Sequence, residues 1–233
     1  MVRCHPEYVH DGTWDADAFS VDLATELRPV LTDMRDPSIL VRAVRISAER
    51  AEEVCAGRPM ACRAGCPSCC VLNVAVLLPE GMLVADWLRQ RLTSAGLSEM
   101  RERLTAYRTR ARWMDDEERI AKGVSCPLLD PAGSCSIHPV RPLVCRAASS
   151  LDREACMQAF RPAFADEPRL VPADLLRRAA YDEAFRALAR GVGEAGFDDR
   201  SIELTTGILA FLEEPELKEL LCGGGRLPDT LWT

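Results

Sequence analysis

A mainly α fold, with a helical shell around a small irregular core and a few short strands, follows from three observations. Apolar residues recur at helical spacing over most of the chain. Gly and Pro interrupt that pattern around residues 57–67 and 130–142. Eight of the eleven cysteines fall in two groups, one at 62–70 and one spread over 126–156. With 233 residues, 48% hydrophobic and 28% charged, the chain can bury a core without covalent staples, and it is expected to form one domain over 1–233. Within it, 1–57 is an N-terminal helical segment, 58–160 a cysteine-rich core and 161–233 a C-terminal helical segment.

The first helix is expected over Asp15–Met34, where Phe19, Leu23, Leu27, Val30 and Leu31 share a face, and it stops at Asp36-Pro37. Ser38–Cys55 is the second, with Ile39, Leu40, Ala43, Ile46 and Val54 interleaved with charges, and Gly57-Arg58-Pro59 ends it. The run CRAGCPSCC follows, and its Gly65 and Pro67 forbid a regular helix and supply sharp bends. Val71–Leu78 is apolar and β-branched and reads as a buried strand. Pro79-Glu80 suits the first turn of a helix to about Thr93, with Glu80 as its cap or else beside the metal, and Leu97–Ala121 suits another, rich in i, i+4 charge pairs. Asp130-Pro131-Ala132-Gly133 reads as the turn of a hairpin with Cys126 and Cys135 at its base; Pro139 and Pro142 keep the following strand irregular and return Cys145 toward the loop. Pro172–Arg190 and Arg200–Leu221 are the last helices, closed by Gly223-Gly224-Gly225.

The residues also constrain the setting. The first twenty hold no apolar h-region, and the most apolar stretch is cut by Asn73 and Pro79, so neither a secretion signal nor a membrane span is expected and the reading is cytoplasmic. In a reducing compartment disulfides rarely persist, and an odd number of closely spaced cysteines points to metal binding before a disulfide framework. A net charge of −7, made more negative by thiolates, argues against a nucleic-acid partner. Lysine occurs only at 122 and 218, so almost all positive charge is arginine; Arg63, Arg141, Arg146 and Arg153 lie in or beside the cysteine groups, where a guanidinium can donate to metal-bound sulfur.

Cys62, Cys66, Cys69 and Cys70 form one group and Cys126, Cys135, Cys145 and Cys156 the other. Thiolates two and three residues apart converge on one ion from a single turn of backbone, and the second group completes the shell. Four thiolates close a tetrahedral zinc site; thiolates are equally the ligands of iron-sulfur clusters, and spacing does not choose between them. Eight cysteines close two sites or hold one cluster with spare ligands. Adjacent Cys69 and Cys70 do not easily face one ion, so they serve two centres or one of them stands behind the ligands. Cys55 and Cys222, on apolar helix faces, read as small buried hydrophobes, and Cys4 with His5 as part of a frayed terminus.

From Cys62 to Cys156 the chain resembles the bacterial cysteine-cluster proteins described as zinc- or iron-chelating, the YkgJ-like CxxCxxCC group. That pattern is a cysteine-rich loop ending in CC, then CP with an apolar residue, then C-x-I-Y-x-x-R-P-x-x-C-R. Cys62, Cys66, Cys69, Cys70, Cys126, Pro127, Cys135, Ile137, Arg141, Pro142, Cys145 and Arg146 match it, and Cys156 suits the last cysteine. His138 stands where the pattern has tyrosine, adding a nitrogen ligand, a proton-handling group or a packing ring; with Arg141 and Arg146 it is expected behind the ligands. A weaker resemblance, to flagellin lysine methylases with an iron-sulfur-associated cysteine cluster, implies an enzyme.

Other motifs carry less. Gly191-Val192-Gly193-Glu194-Ala195-Gly196 spells GxGxxG but follows a helix, and reads as a helix-ending loop; Cys62-x-x-x-Cys66-x-x-Cys69 has the radical S-adenosylmethionine spacing without the β/α barrel that chemistry needs; no HExxH occurs. The expectation is a metal-binding protein holding zinc or an iron-sulfur cluster, accessory to a protein partner. The alternative is an iron-sulfur-dependent enzyme of redox or group-transfer type.

Overall fold

Helix α1, Ala16–Leu31, begins where Asp15 Oδ1 accepts the Ala18 N–H at 2.9 Å, and it buries Phe19, Leu23, Leu27 and Leu31, one side chain per turn. Each of these side chains contributes about 1.5–3 kcal/mol by leaving water. The computed structural model describes residues 9–10, 13–32, 38–162 and 169–232, with side chains from residue 14 onward. Met34, the Asp36-Pro37 stop and Cys4-His5 lie outside the described residues. Val9–His10 and Thr13–Trp14 form a two-stranded ribbon, β1 and β2, ahead of α1.

Two helical layers make the core. In one, α1 and α2 (Ile39–Val54) lie along α8 (Leu175–Glu194), and α8 also carries the short α6 (Leu143–Ala147). Gly191, within α8, lets α1 approach: an added Cβ would stand 3.1 Å from Leu31 Cδ1. The GxGxxG run is thus a helix-packing stretch ending at Gly196, and no strand leads into it. In the other layer α3 (Leu78–Arg91) and α4 (Ser94–Ala111) pack on α9 (Leu204–Glu213), which is buried on all sides from Leu204 to Leu212. One continuous apolar cluster joins the layers. No helix among the described residues is long and apolar enough to cross a membrane.

A repeat not evident in the sequence sits at the centre of the second layer. Strands β3 (Ala75–Leu77) and β4 (Ser201–Glu203) pair antiparallel, Val76 opposite Ile202, and each runs directly into a helix, α3 or α9. The fourth residue of each helix is glycine. Gly81 and Gly207 meet at the crossing, where a Cβ on Gly81 would stand 3.3 Å from the Gly207 carbonyl carbon and one on Gly207 2.8 Å from Ile202 Cγ2.

Three expected elements are shorter than their sequence patterns. The strand over Val71–Leu78 contracts to Ala75–Leu77, because Val71 closes a 3-10 turn, Ser68–Val71, and Pro79 draws Leu78 into α3. Leu97–Ala121 divides into α4 and α5 (Asp116–Ala121): Asp115 Oδ1 caps α5 through the Glu118 N–H at 2.8 Å. The buried Arg119 guanidinium turns back to the Ala111 carbonyl at 3.1 Å and Tyr107 Oη at 2.8 Å, stapling the break. Arg200–Leu221 divides into β4, α9 and α10 (Glu216–Cys222), since Glu203 caps α9 through the Thr206 N–H at 3.0 Å and Pro215 restarts the chain.

Glu80 ties this layer to the cysteine-bearing segment. At 1% exposure, its Oε2 accepts the Leu77 N–H at 2.9 Å and its Oε1 the Leu143 N–H at 2.8 Å, so it caps α3 and α6 together. From the other layer, Arg177 Nη1 donates to the Arg146 carbonyl at 3.4 Å and Nη2 to Glu52 Oε1 at 2.8 Å, and Tyr181 also hydrogen-bonds Glu52. Arg58 pairs with Asp174, the α8 cap, at 2.6 Å.

Two outcomes test these contacts. Gly81→Ala should destabilise the fold by about 1–3 kcal/mol in urea unfolding, because the neighbour at the crossing is backbone. Burial lifts the Glu80 carboxyl from 4.5 to about 7. Between those values the folded chain holds a proton that the unfolded chain has released, so wild type gains stability relative to Glu80→Gln as pH falls through that window. The gain reaches up to about 3 kcal/mol and is flat on either side. A pH-independent difference would show that Glu80 titrates normally.

Candidate metal centre

The first cysteine group is a loop shaped by its small residues. After α2, Ala61 N–H donates to the Ser150 carbonyl at 2.8 Å, Gly65 turns the chain at φ 77°, and Cys66 N–H donates to the Arg63 carbonyl at 3.2 Å. Cys70 N–H then donates to the Pro67 carbonyl at 2.9 Å, setting the 3-10 turn that carries Cys69 and Cys70. In such a turn successive side chains diverge by about 120°. The two sulfurs nonetheless hydrogen-bond: Cys70 donates to Cys69, which lowers the Cys69 thiol to about 7 and holds the proton on Cys70.

The second group returns to this loop. Cys126 N–H donates to the Cys70 carbonyl at 2.7 Å. The expected hairpin is present as a tight loop with one bridge, Leu129 opposite Cys135, and Asp130 Oδ1 accepts the Ala132 and Ser134 N–H groups at 2.9 and 2.8 Å. Arg103 of α4 supports its base through the Pro127 and Leu129 carbonyls. The segment after Pro139 is not an irregular strand: His138–Val140 is a 3-10 turn and Pro142 opens α6, which carries Cys145. Helix α7, Arg153–Ala159, capped by Asp152, brings Cys156 against the Cys69 turn.

All eight thiols therefore stand in one neighbourhood, and every described cysteine is free. Burial pushes Cys126 up to about 12 and Cys156 to about 11, and raises Cys135 and, further, Cys145. After burial, nearby thiols raise them more: Cys126, Cys135 and Cys69 act on Cys145, and Cys69, Cys66 and Cys62 on Cys156. Among the described residues no three His, Cys, Asp or Glu side chains already close on a common point as a metal-holding set.

The surrounding residues divide. The Arg141 charge lowers Cys69 and Cys135, and its Nε is buried without a hydrogen-bond partner. Arg146 is engaged instead with the Arg141 and Pro139 carbonyls at 2.8 and 2.9 Å, holding the turn. His138 is exposed, and the Arg141 charge leads in lowering its imidazole pKa. Cys55 is buried at the end of α2, burial raising it to about 11, and Cys222 is half-buried against the Met82 sulfur at 3.9 Å; both fit the packing role.

Serines are the contacts that sequence reasoning missed. Ser150 N–H donates to Cys62 Sγ at 3.3 Å, the Ser68 hydroxyl lies 3.7 Å from Cys66 Sγ and also hydrogen-bonds Cys156, and Ser149 Oγ is buried without a partner. Position inside CRAGCPSCC was the available signal for Ser68; nothing local marks Ser150.

The donor set itself tests what these residues suit. Thiols that raise one another's pKa are costly to ionise as a group, and a thiophilic cation or iron-sulfur cluster is the partner that removes this cost while using every sulfur. The free thiols, the guanidinium of Arg141 and the hydroxyl and amide donors fit such a group.

Comparison with known proteins agrees with this chemistry. No curated protein and no solved structure matches the chain. A family model, CxxCxxCC, described as "Putative zinc- or iron-chelating domain", matches residues 61–162, a span that starts one residue before Cys62 and ends six after Cys156. The cysteine-bearing part of this chain, residues 61–162, is thus similar to the CxxCxxCC family, and the likeness is confined to that span.

Proposed function

We propose that this chain is a metal-chelating module whose ligands are Cys62, Cys66, Cys69, Cys70, Cys126, Cys135, Cys145 and Cys156, holding zinc or an iron-sulfur cluster and serving a partner protein. The observation that carries this reading is the meeting of eight uncross-linked thiols, drawn from separate segments, in one electrostatic neighbourhood. The reading places the protein in the cytoplasm, where thiols stay reduced. It takes the flanking helices, 1–57 and 161–233, as one folding unit with 58–160. Arg141 offsets thiolate charge, whereas Arg146 and Glu80 set the position of Cys145. When bound, zinc would supply folding free energy, and a cluster would supply electron-transfer capacity.

Metal analysis of anaerobically purified protein tests the assignment. Cys69→Ser and Cys145→Ser should each lower metal content to about half or less, and Cys55→Ser should leave it unchanged. Normal loading in both ligand variants contradicts the proposal. Brown protein with acid-labile sulfide identifies a cluster, and colourless protein with zinc identifies the ion. A second measurement counts the protons that the thiols give up. Loading zinc-free reduced protein in weak buffer at neutral pH should release nearly one proton per coordinating thiol other than Cys69, which is already partly ionised there, and acidification should expel the ion as those thiols reprotonate. Release far below that count would exclude thiol ligands.

A further inference from the structure

The eight thiols are held by two different kinds of support. Cys126 and Cys135 pack against the main apolar core, and each sulfur takes the amide of the residue two further on, Leu128 for Cys126 and Ile137 for Cys135. An N–H aimed at a sulfur from within its own turn stabilises the thiolate and fixes its direction. Cys70 is joined to this pair by the backbone bond from Cys126, and Cys145 sits on the helix clamped by Glu80 and Arg177. These four come from elements anchored in both helical layers.

Cys62, Cys66 and Cys156 are supported otherwise. Their hydrogen bonds come from Ser150 and Ser68, on the loop and turn themselves. Cys156 is buried, at 7% exposure, yet stands outside the main apolar cluster and is covered only locally. Arg63, Ala64, Gly65 and Pro67, which link Cys62 and Cys66 to the 3-10 turn, are exposed, and Met60 and Leu151 flank them at 46% and 48% exposure. Solvent reaches this side through the loop.

Resting on the chelating role proposed above, we infer that the cysteine core holds two centres. The inner one is bounded by Cys70, Cys126, Cys135 and Cys145 and is retained. The outer one is bounded by Cys62, Cys66 and Cys156, with Cys69 at the seam, and exchanges its ion with soluble ligands. Cys69 and Cys70, neighbours on the 3-10 turn and hydrogen-bonded to each other, stand where the two centres meet. Opening the outer centre requires movement only of the 62–67 loop and α7, whereas opening the inner one disturbs α6 and the hairpin on the apolar core. The difference is therefore one of exchange rate as well as affinity.

The test uses full-length reduced protein, stripped of metal, reloaded anaerobically with zinc and chased with the chromogenic chelator 4-(2-pyridylazo)resorcinol. Two ions per chain should be released in two phases, the faster by roughly tenfold or more. Cys62→Ser or Cys156→Ser should abolish the fast phase and leave the slow one, with helical circular dichroism unchanged; Cys126→Ser should remove the slow phase. Should Cys126→Ser fail to fold, the wild-type phases and the outer variants decide alone. One ion per chain, a single phase, or loss of the slow phase in the outer variants overturns the two-centre inference and leaves chelation standing. Failure of the wild type to take up zinc, together with absence of native iron, overturns both.

Discussion

A five-residue helix cannot hold itself together in water, and α6 depends entirely on what grips its two ends. Glu80, fixed at the start of α3, takes the first free N–H of α6; Arg177, fixed on α8, takes a carbonyl from its last turn. A buried carboxylate with unmet acceptors would be costly, so the same pair of amide donors that stabilises Glu80 also determines where α6 begins. Cys145 thereby inherits its position from both helical layers at once. Cys126 and Cys135, packed on the apolar core, take their positions from the layers in the same way.

Charge is the second constraint. Several half-buried thiols raise one another's proton affinity. Arg141 acts on Cys69 and Cys135, and the Cys70 proton stabilises a negative Cys69. For thiol ligands in general, binding a cation and expelling the protons are one event.

Much of this was legible in the sequence, for reasons that are local. Phe19, Leu23, Leu27 and Leu31 mark one stripe of α1, Asp130 and Gly133 define their turn, and the two cysteine groups announce their chemistry. What was hidden depends on partners distant in the chain. The break at 112–115 is a capping event completed by Arg119 folding back, inside a stretch that is otherwise helix-favouring. Arg141 and Arg146 are alike in composition and neighbourhood, and only the turn geometry turns one toward the thiols and the other toward carbonyls. The repeated strand–helix unit has little sequence signature because Ala75–Met82 and Ser201–Ile208 share only Leu and Gly at matching places.

That repeat has a mechanical meaning. At the Gly81–Gly207 crossing two backbones touch with no side chain between them, so α3 and α9 have no cushion through which to slip past each other. The pair acts as a stiff plinth, and Glu80, one residue before the touching point, transmits that stiffness outward. Substitutions that swell the plinth should propagate as misalignment of the sulfurs, whereas the exposed tip at Pro131-Ala132 can drift in sequence and length without altering what the chain grips.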